Sequence, residues 1–424
     1  MRLATRPPRE FPIGQRRPEH FVTRSESLIK NGRVLRMKPK EIRSQLNRRR
    51  NGARIVHGVQ AHAKVAAKVR LRANQPETTA SGALAETNSP AVADSALRAA
   101  GIGESAGFSE LSLRRELERI HRTEVSPCVQ DWADVYSQVG SRSRYLWKWA
   151  TRGAELTTLP GVTPDWRMHV RDTKVLSIMI CVLVDDVADA QKNHEFLNTL
   201  LNVVERPLNA GFNGLSGAER HYAVVTQELC NVYDRRIREY PYFEVYKDLL
   251  QYDQMQFLNT MRYSSLLNSH PSLLNLAEHE IYFPHNMHMM SFATLDLMCL
   301  PDFQVNELGR LREAVWHGQC MGRVGNLLST WRREFLQGDF TSDVFARAVA
   351  EGDLSVEQLG TSDRREIEEA IRKGGHEEFF FRRWQYHKER FQVLAALVKS
   401  IDLRRSLKGH EQFYCMHLAS RGLI

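Results

Sequence analysis

Two short stretches of the sequence carry oxygen-bearing side chains at spacings that suit a metal-binding helix. The first stretch, Asp185, Asp186 and Asp189, follows an almost continuously apolar segment at 173–184. On a helix, Asp185 and Asp189 lie one turn apart on the same face, whereas Asp186 is rotated by about 100°. Three carboxylates at the end of a buried helix are costly to desolvate unless a cation or a water-filled cavity receives them. Because Mg²⁺ prefers oxygen ligands, the stretch predicts a magnesium site, with an ordinary solvated helix end as the alternative.

The second stretch lies further along the chain and repeats every four residues. Asn326, Thr330 and Glu334 project from nearly one face of one helix, so an amide oxygen, a hydroxyl and a carboxylate are brought together. These oxygens predict a second metal-binding face with less negative charge than the first. Arg333 adjoins Glu334, where its guanidinium could pair with a phosphate carried by the same metal ions. The alternative for this segment alone is a polar stripe on an exposed amphipathic helix.

The elements that must position these residues are predicted to be helices. Apolar residues recur at intervals of three and four from about residue 110 onwards, and turn clusters such as LPGVTPD and NAGFNGLSG separate the segments. Long helices joined by short loops predict one large all-α domain over 106–424. Beyond a helix in SELSLRRELERIHR, the predicted helical segments are 128–149, 165–191, 195–204, 216–238, 243–267, 306–336 and 377–400.

The basic character of the chain is concentrated at its start. The 424 residues include 59 lysines and arginines against 50 acidic residues, yet the first 75 residues hold 20 of the basic residues and only four glutamates. A globular domain that grips nucleic acid along its body is therefore disfavoured. Residues 1–105 are predicted to be a basic, low-complexity, disordered arm. This segment has few aromatic residues and many Pro, Ser, Thr and Ala residues, so it cannot bury enough apolar surface to offset the entropy of ordering. A solvated extension, or a contact with nucleic acid or an anionic membrane, would suit such an arm.

Cysteine usage and hydropathy indicate the compartment. The six cysteines are scattered without a CxxC pair, so neither a zinc ribbon nor a disulfide framework is indicated. No apolar run reaches the length of about 18 residues that spans a bilayer, and the first 30 residues lack a secretory signal. We expect reduced thiols, a cytoplasmic location and no stable membrane insertion.

The two oxygen-rich stretches together resemble the metal motifs of class I terpene synthases (terpene cyclases) of the bacterial type. Asp185-Asp186-Val187-Ala188-Asp189 matches the DDxxD motif, and Asn326-x-x-x-Thr330-x-x-x-Glu334 matches the second motif, Asn-x-x-x-Ser/Thr-x-x-x-Glu. The resemblance covers about residues 110–424. It implies the single-domain α-helical class I terpenoid synthase fold, three Mg²⁺ ions and a prenyl diphosphate substrate that is ionised and cyclised.

Roles for individual residues follow from the same resemblance. Asp185 and Asp189 would hold one side of the metal cluster, and Arg333, which falls where many bacterial members carry a Lys, would help to neutralise the departing diphosphate. Substrates of the farnesyl and the geranylgeranyl scale fit equally well, and the sequence leaves open whether the chain forms a homodimer. Nine aromatic residues are candidates for lining the cavity that shields the cation: Tyr145, Trp147, Trp149, Phe257, Tyr263, Phe292, Trp316, Trp331 and Trp384.

The sequence departs from the family pattern at three places. Leu327 stands where the second motif often has Asp, and the upstream Arg-Arg pair that senses diphosphate in many bacterial members is replaced by His285 and Asn286. The Arg-Tyr pair near the end of the family's chains is also absent as a dipeptide. The candidates for similar work are Arg404, Arg405 and Tyr414, and 339–343 is a candidate lid segment.

Two other functions compete with cyclisation. Chain-elongating prenyl transferases share an all-α bundle and a DDxxD motif, but they carry a second aspartate-rich motif where this chain has Asn326, Thr330 and Glu334. The other candidate is a non-catalytic helical protein whose basic arm binds nucleic acid. We expect the cyclase, because both oxygen-rich stretches occur in one helical domain.

Overall fold

The fold was taken from a computed structural model, which describes residues 108–190, 193–207 and 211–424. These residues form fifteen α-helices, three short 3₁₀ segments and no β-strand, so the predicted all-α class is confirmed. The predicted arm at 1–105 lies outside the described residues. The helices are α1 (Glu110–Arg122), α2 (Pro127–Tyr136), α3 (Arg144–Leu156), α4 (Pro164–Ala190), α5 (His194–Glu205), α6 (Gly217–Ile237), α7 (Phe243–Ser269), α8 (Leu276–Tyr282), α9 (Met289–Leu297), α10 (Leu308–Gln337), α11 (Asp343–Ala350), α12 (Val356–Thr361), α13 (Arg364–Lys373), α14 (His376–Ala395) and α15 (Leu403–Ala419).

Local sequence signals set several of these helix ends. Helix α6 begins with a capping box, in which the Ser216 side chain accepts from the backbone N–H of Glu219 and the Glu219 carboxylate accepts from the backbone N–H of Ser216. Helix α10 ends at Gly338, whose φ of 70° is a left-handed conformation that glycine adopts at little cost. Such signals explain why the predicted segments 216–238 and 306–336 agree closely with α6 and α10, and the predicted segment 165–191 also agrees closely with α4.

The predicted helix at 128–149 is wrong as a single element. The chain forms α2 and α3 instead, with an irregular connection at 137–143 between them. A side chain at Gly140 would overlap the ring of Tyr136, so the connection folds closely back over the end of α2. The apolar periodicity continues across this break, which is why the sequence pattern does not reveal it.

Helix α4 lies at the centre of the described helices and carries the first acidic stretch. It packs against α3, α5, α6 and α7, and Val175, Leu176, Met179 and Leu183 have no exposed surface. A helix surrounded in this way explains the almost continuous apolar run that precedes Asp185.

A buried ion pair joins α4 to α9. The Nζ of Lys174 lies 2.7 Å from Oδ1 of Asp296, and neither side chain has exposed surface. The backbone N–H of Leu159 also donates to Asp296, over 2.9 Å. Two charges this deeply buried are tolerated only when they are paired and hydrogen-bonded, so this contact is sensitive to loss of either partner.

Helix α10 carries the second oxygen-rich stretch and packs against α9, α14 and α15.

All six cysteines lie in the described residues as free thiols. None of the helices in the described ranges combines the length and the apolarity that crossing a bilayer requires.

Candidate active site

The two oxygen-rich stretches face one cavity of about 690 Å³. Helix α4 supplies Asp185, Asp186 and Asp189 to its wall, and helix α10 supplies Asn326, Thr330, Arg333 and Glu334. Every residue predicted to bind metal or to act in catalysis therefore lines the same space. The two stretches are far apart in sequence, and only the packing of α4 and α10 around this cavity brings them together.

The carboxylates on this wall raise one another's pKa values. Burial raises the pKa of Asp189 well above its usual range, and the charges of Asp185 and Asp339 add to the shift. Burial is also the main cause that raises the pKa of Glu334 to about 7, followed by the charge of Asp339. The charge of Glu334 on α10 also raises the pKa of Asp189 on α4, so the carboxylates of the two helices repel one another, and a cation between them would relieve that repulsion.

Asp185 and Asp186 differ in how their carboxylates are bound. Both oxygens of Asp186 are occupied, because Tyr136 donates its O–H to Oδ2 over 2.9 Å and Arg142 donates from Nε to Oδ1 over 2.8 Å. Asp185 has a looser ion pair with Arg142, at 3.6 Å, and its side chain is 32% exposed. Burial raises the pKa of Asp185 to about 6, an effect that Arg142 opposes. Asp185 is therefore more available than Asp186 to bind a cation. Asp186 instead holds the 137–143 connection in place through Arg142.

On α10, a residue that sequence reasoning missed contacts the predicted site. Arg323 donates from Nη1 to Oδ1 of Asn326 over 3.0 Å, lines the cavity and is itself buried. Its other bonds are to the backbone carbonyl of Thr341 and to the carboxylate of Asp343. Its position one turn before Asn326 was the available sequence signal, since residues three apart on a helix are neighbours.

Arg333 lies at the same end of the cavity as the carboxylates. It donates from Nη1 to Gln337 over 2.6 Å, and its Nη2 lies 4.0 Å from Glu334. Its Nε is buried and has no hydrogen-bond partner among the described residues. The guanidinium thus retains an unused donor on a wall that also carries acidic side chains.

The rest of the cavity is mainly apolar and aromatic. Of the nine aromatic candidates, Trp149, Phe257 and Phe292 line it, as does Phe413 of α15, which the sequence did not single out. Trp147 and Trp331 are instead fully buried in the core. The candidates that do not line the cavity in the described part of the chain are Tyr145, Trp147, Tyr263, Trp316, Trp331 and Trp384.

The segment proposed to replace the arginine sensor contributes to the cavity only in part. Asn286 lines the cavity with a buried Oδ1 that lacks a partner in the described structure, whereas His285 stacks near Trp316 and does not line it there. Two residues later, His288 lines the cavity between the rings of Phe257 and Phe292. Its φ of 57° is a left-handed conformation, which is uncommon for a residue other than glycine.

The candidates near the C-terminus are placed differently. Arg404 and Arg405 are exposed in the first turn of α15. Tyr414 is fully buried and stacks on Trp384 with ring centroids 4.5 Å apart. None of the three lines the cavity in the ranges that the structure describes. From the predicted lid segment, Asp339 and Thr341 do line it.

The donor set suits a hard divalent cation. Carboxylate, amide and hydroxyl oxygens converge on one cavity, and the mutual repulsion of the carboxylates favours a cation there. At the same time, no group of three or more His, Cys, Asp or Glu side chains among the described residues is arranged to hold a metal ion. The amide oxygen of Asn326 accepts one hydrogen bond from Arg323, which leaves its second lone pair for a cation.

Comparisons with known proteins give little further information. No known family profile matches the chain, and no curated protein matches it. Among solved structures, isoprene synthase from grey poplar leaves (Populus x canescens) is similar with a TM-score of 0.45 and 14% identity. The match covers 72% of this chain and 53% of the poplar chain, so this protein spans about half the length of that structure.

Proposed function

We propose that this protein is a Mg²⁺-dependent class I terpene cyclase that ionises a prenyl diphosphate of fifteen or twenty carbons. The observation that carries the proposal is that two oxygen-rich helix faces line one cavity whose remaining wall is apolar and aromatic. A charged leaving group requires the oxygen-rich helix faces, and a reactive hydrocarbon cation requires the apolar and aromatic wall.

The polar end of the cavity is assigned to the diphosphate. Asp185 and Asp189 on one side, with Asn326, Thr330 and Glu334 on the other, would hold the Mg²⁺ ions. Bound magnesium would supply Lewis-acid stabilisation of the negative charge that develops on the leaving group. Arg333 would donate to the phosphate oxygens through its unpartnered guanidinium nitrogen. Asp186 would act mainly by holding Arg142 at the edge of this site.

The apolar end is assigned to the hydrocarbon chain. Trp149, Phe257, Phe292 and Phe413 present aromatic rings, and attraction of a desolvated cation to one such ring is worth about 2 kcal/mol. Their packing would exclude water and fold the chain so that a distant double bond can attack the allylic cation. The product would be a terpene hydrocarbon or alcohol.

The test is an incubation of the purified protein with ten-, fifteen-, twenty- and twenty-five-carbon prenyl diphosphates, with and without Mg²⁺. We expect Mg²⁺-dependent diphosphate release and cyclic products, and we expect Glu334→Ala to abolish both while circular dichroism shows a folded protein. Absence of diphosphate release from every substrate would contradict the proposal. Longer prenyl diphosphates formed on addition of isopentenyl diphosphate would indicate chain elongation instead.

A further inference from the structure

His417 of α15 is a buried imidazole on the apolar wall of the cavity. It has no exposed surface, and the ring stands edge-on to Trp149 and Phe413, with centroid distances of 4.9 and 4.6 Å. Neither Nδ1 nor Nε2 has a hydrogen-bond partner among the described residues. Buried polar side chains are nearly always hydrogen-bonded, because desolvation without a partner is costly. An imidazole left without partners in an aromatic wall therefore suggests a chemical role.

The helix that carries the second metal-binding face leaves room for this ring. A Cβ added at Gly325 would lie only 3.0 Å from Cδ2 of His417 and 3.2 Å from its Cβ. Gly325 directly precedes Asn326 in the chain, so His417 packs against the backbone of α10 beside the predicted metal face. The imidazole consequently lies where the apolar wall meets the helix assigned to the diphosphate.

The imidazole is neutral at physiological pH. Burial lowers the pKa of His417 to about 3. A neutral imidazole carries one nitrogen lone pair, and here no hydrogen bond from the described residues occupies it. A base this weak is still strong enough for the carbons next to a carbocation, because such C–H bonds are far more acidic than an imidazolium.

We propose that His417 is the general base that ends the cyclisation by removing a proton from the last carbocation. The C–H bond next to the cationic carbon breaks, its electron pair forms the C=C bond of the product, and the proton moves to a ring nitrogen of His417. The imidazolium then passes its proton to the released diphosphate or to water when the cavity opens. This inference rests on the proposed cyclase activity and adds the residue that decides which alkene is released.

A matched control lies on the same helix. His410 is buried two turns earlier, its Nδ1 also lacks a partner in the described structure, and its ring packs against Gly318. His410 is not on the cavity wall within the described ranges. Replacement of His410 thus repeats the loss of a buried imidazole from α15 without changing the cavity wall.

The experiment compares His417→Phe, His417→Leu and His410→Phe with the wild-type protein, using a substrate that the wild type converts. Diphosphate release reports ionisation, and gas chromatography with mass spectrometry reports the products. Because a base acts after ionisation, we expect the His417 variants to reduce the yield of the main wild-type product more strongly than they reduce diphosphate release. We expect the share of the main wild-type product to fall by about tenfold or more, with other alkenes or alcohols in its place. His410→Phe should keep the wild-type product pattern.

Two results would overturn the inference. One is an unchanged product pattern in either His417 variant, and the other is an equal change in His410→Phe, which would trace the effect to packing of α15. Both His417 substitutions remove an unpartnered buried polar group but change the packing against Gly325, so circular dichroism identifies the folded variants, and one folded variant suffices for the test. A wild-type protein that releases no diphosphate would contradict the proposed function itself, which is a separate outcome.

Discussion

Arg323 donates a hydrogen bond from Nη1 to Oδ1 of Asn326, one turn further along α10, over 3.0 Å. The same guanidinium lies 2.9 Å from Asp343, and both side chains of this ion pair are only 6% exposed. It also lies over the ring of Phe283, 4.9 Å from the centroid. A buried cation thus connects the second oxygen-rich face to the start of α11.

Loss of this buried guanidinium should destabilise the protein strongly. Arg323→Ala leaves the buried carboxylate of Asp343 with only His279 beside it in the described structure, at 3.3 Å, and loss of a buried ion-pair partner costs about 3–5 kcal/mol. The exposed pair of Arg382 with Glu378, whose side chains are 60% and 69% exposed, provides the control. Arg382→Ala should cost no more than about 0.5 kcal/mol. Urea unfolding of both variants measures the difference, and equal destabilisation would show that the buried pair has no special role.

Asp185 and Asp186 should differ in their effect on turnover. Asp185→Asn removes a carboxylate that is available for metal binding, so we expect a loss of about 10²–10³-fold in kcat. Asp186→Asn weakens one of the contacts with Tyr136 and Arg142. Loss of a single hydrogen bond corresponds to a decrease of about tenfold in kcat. Steady-state diphosphate release with saturating Mg²⁺ provides the comparison. Equal losses in the two variants would mean that both carboxylates serve the same purpose.

The small residues of α3 should leave room in the cavity for the longer substrate chain. Ala154 is 1% exposed and lines the cavity, and a Cβ at the adjacent Gly153 would already lie 2.8 Å from Phe413. A phenylalanine at position 154 reduces the available space, so Ala154→Phe should lower the ratio of twenty- to fifteen-carbon turnover by about tenfold or more. Competition between the two substrates in one reaction gives this ratio directly. Ala396→Phe, at an exposed position after α14, should leave it unchanged, and a similar shift there would point away from the cavity.

Stability should depend on a buried histidine pair at the α10–α14 contact. Nδ1 of His317 lies 2.9 Å from Nδ1 of His387, and burial, followed by the neighbouring His317, lowers the pKa of His387 from 6.5 to about 3. The unfolded chain therefore binds a proton that the folded protein does not bind between these two pH values. The contribution of His387 to the free energy of unfolding should be fully present above about pH 6.5. As the pH is lowered, this contribution should fall by about 1.4 kcal/mol per pH unit.

His387→Phe should remove this contribution. Urea unfolding between pH 7.5 and pH 5 should show a smaller loss of the free energy of unfolding in the variant than in the wild type. An identical slope in the two proteins would mean that His387 becomes protonated without unfolding.

Local spacing was sufficient to predict seven of the fifteen described α-helices as single elements and both oxygen-rich faces. Periodicity at three and four, capping residues and the apolar run before Asp185 act within a few residues of one another, so they can be read along the chain. The sequence pattern did not predict the break between α2 and α3 at 137–143, because apolar periodicity continues through it. The decisive feature there is the contact of Gly140 with the ring of Tyr136.

The sequence by itself determined the helical class and the oxygen-bearing side chains at Asp185, Asp189 and Glu334, because residue chemistry and helical spacing are local properties. Only the tertiary structure decided that α4 and α10 line one cavity and that His417 of α15 lines it as well. It also decided that Tyr136 and Arg142 donate hydrogen bonds to the carboxylate of Asp186. These relationships join residues far apart along the chain. They depend on how helices pack, and no local pattern of residue types encodes that packing.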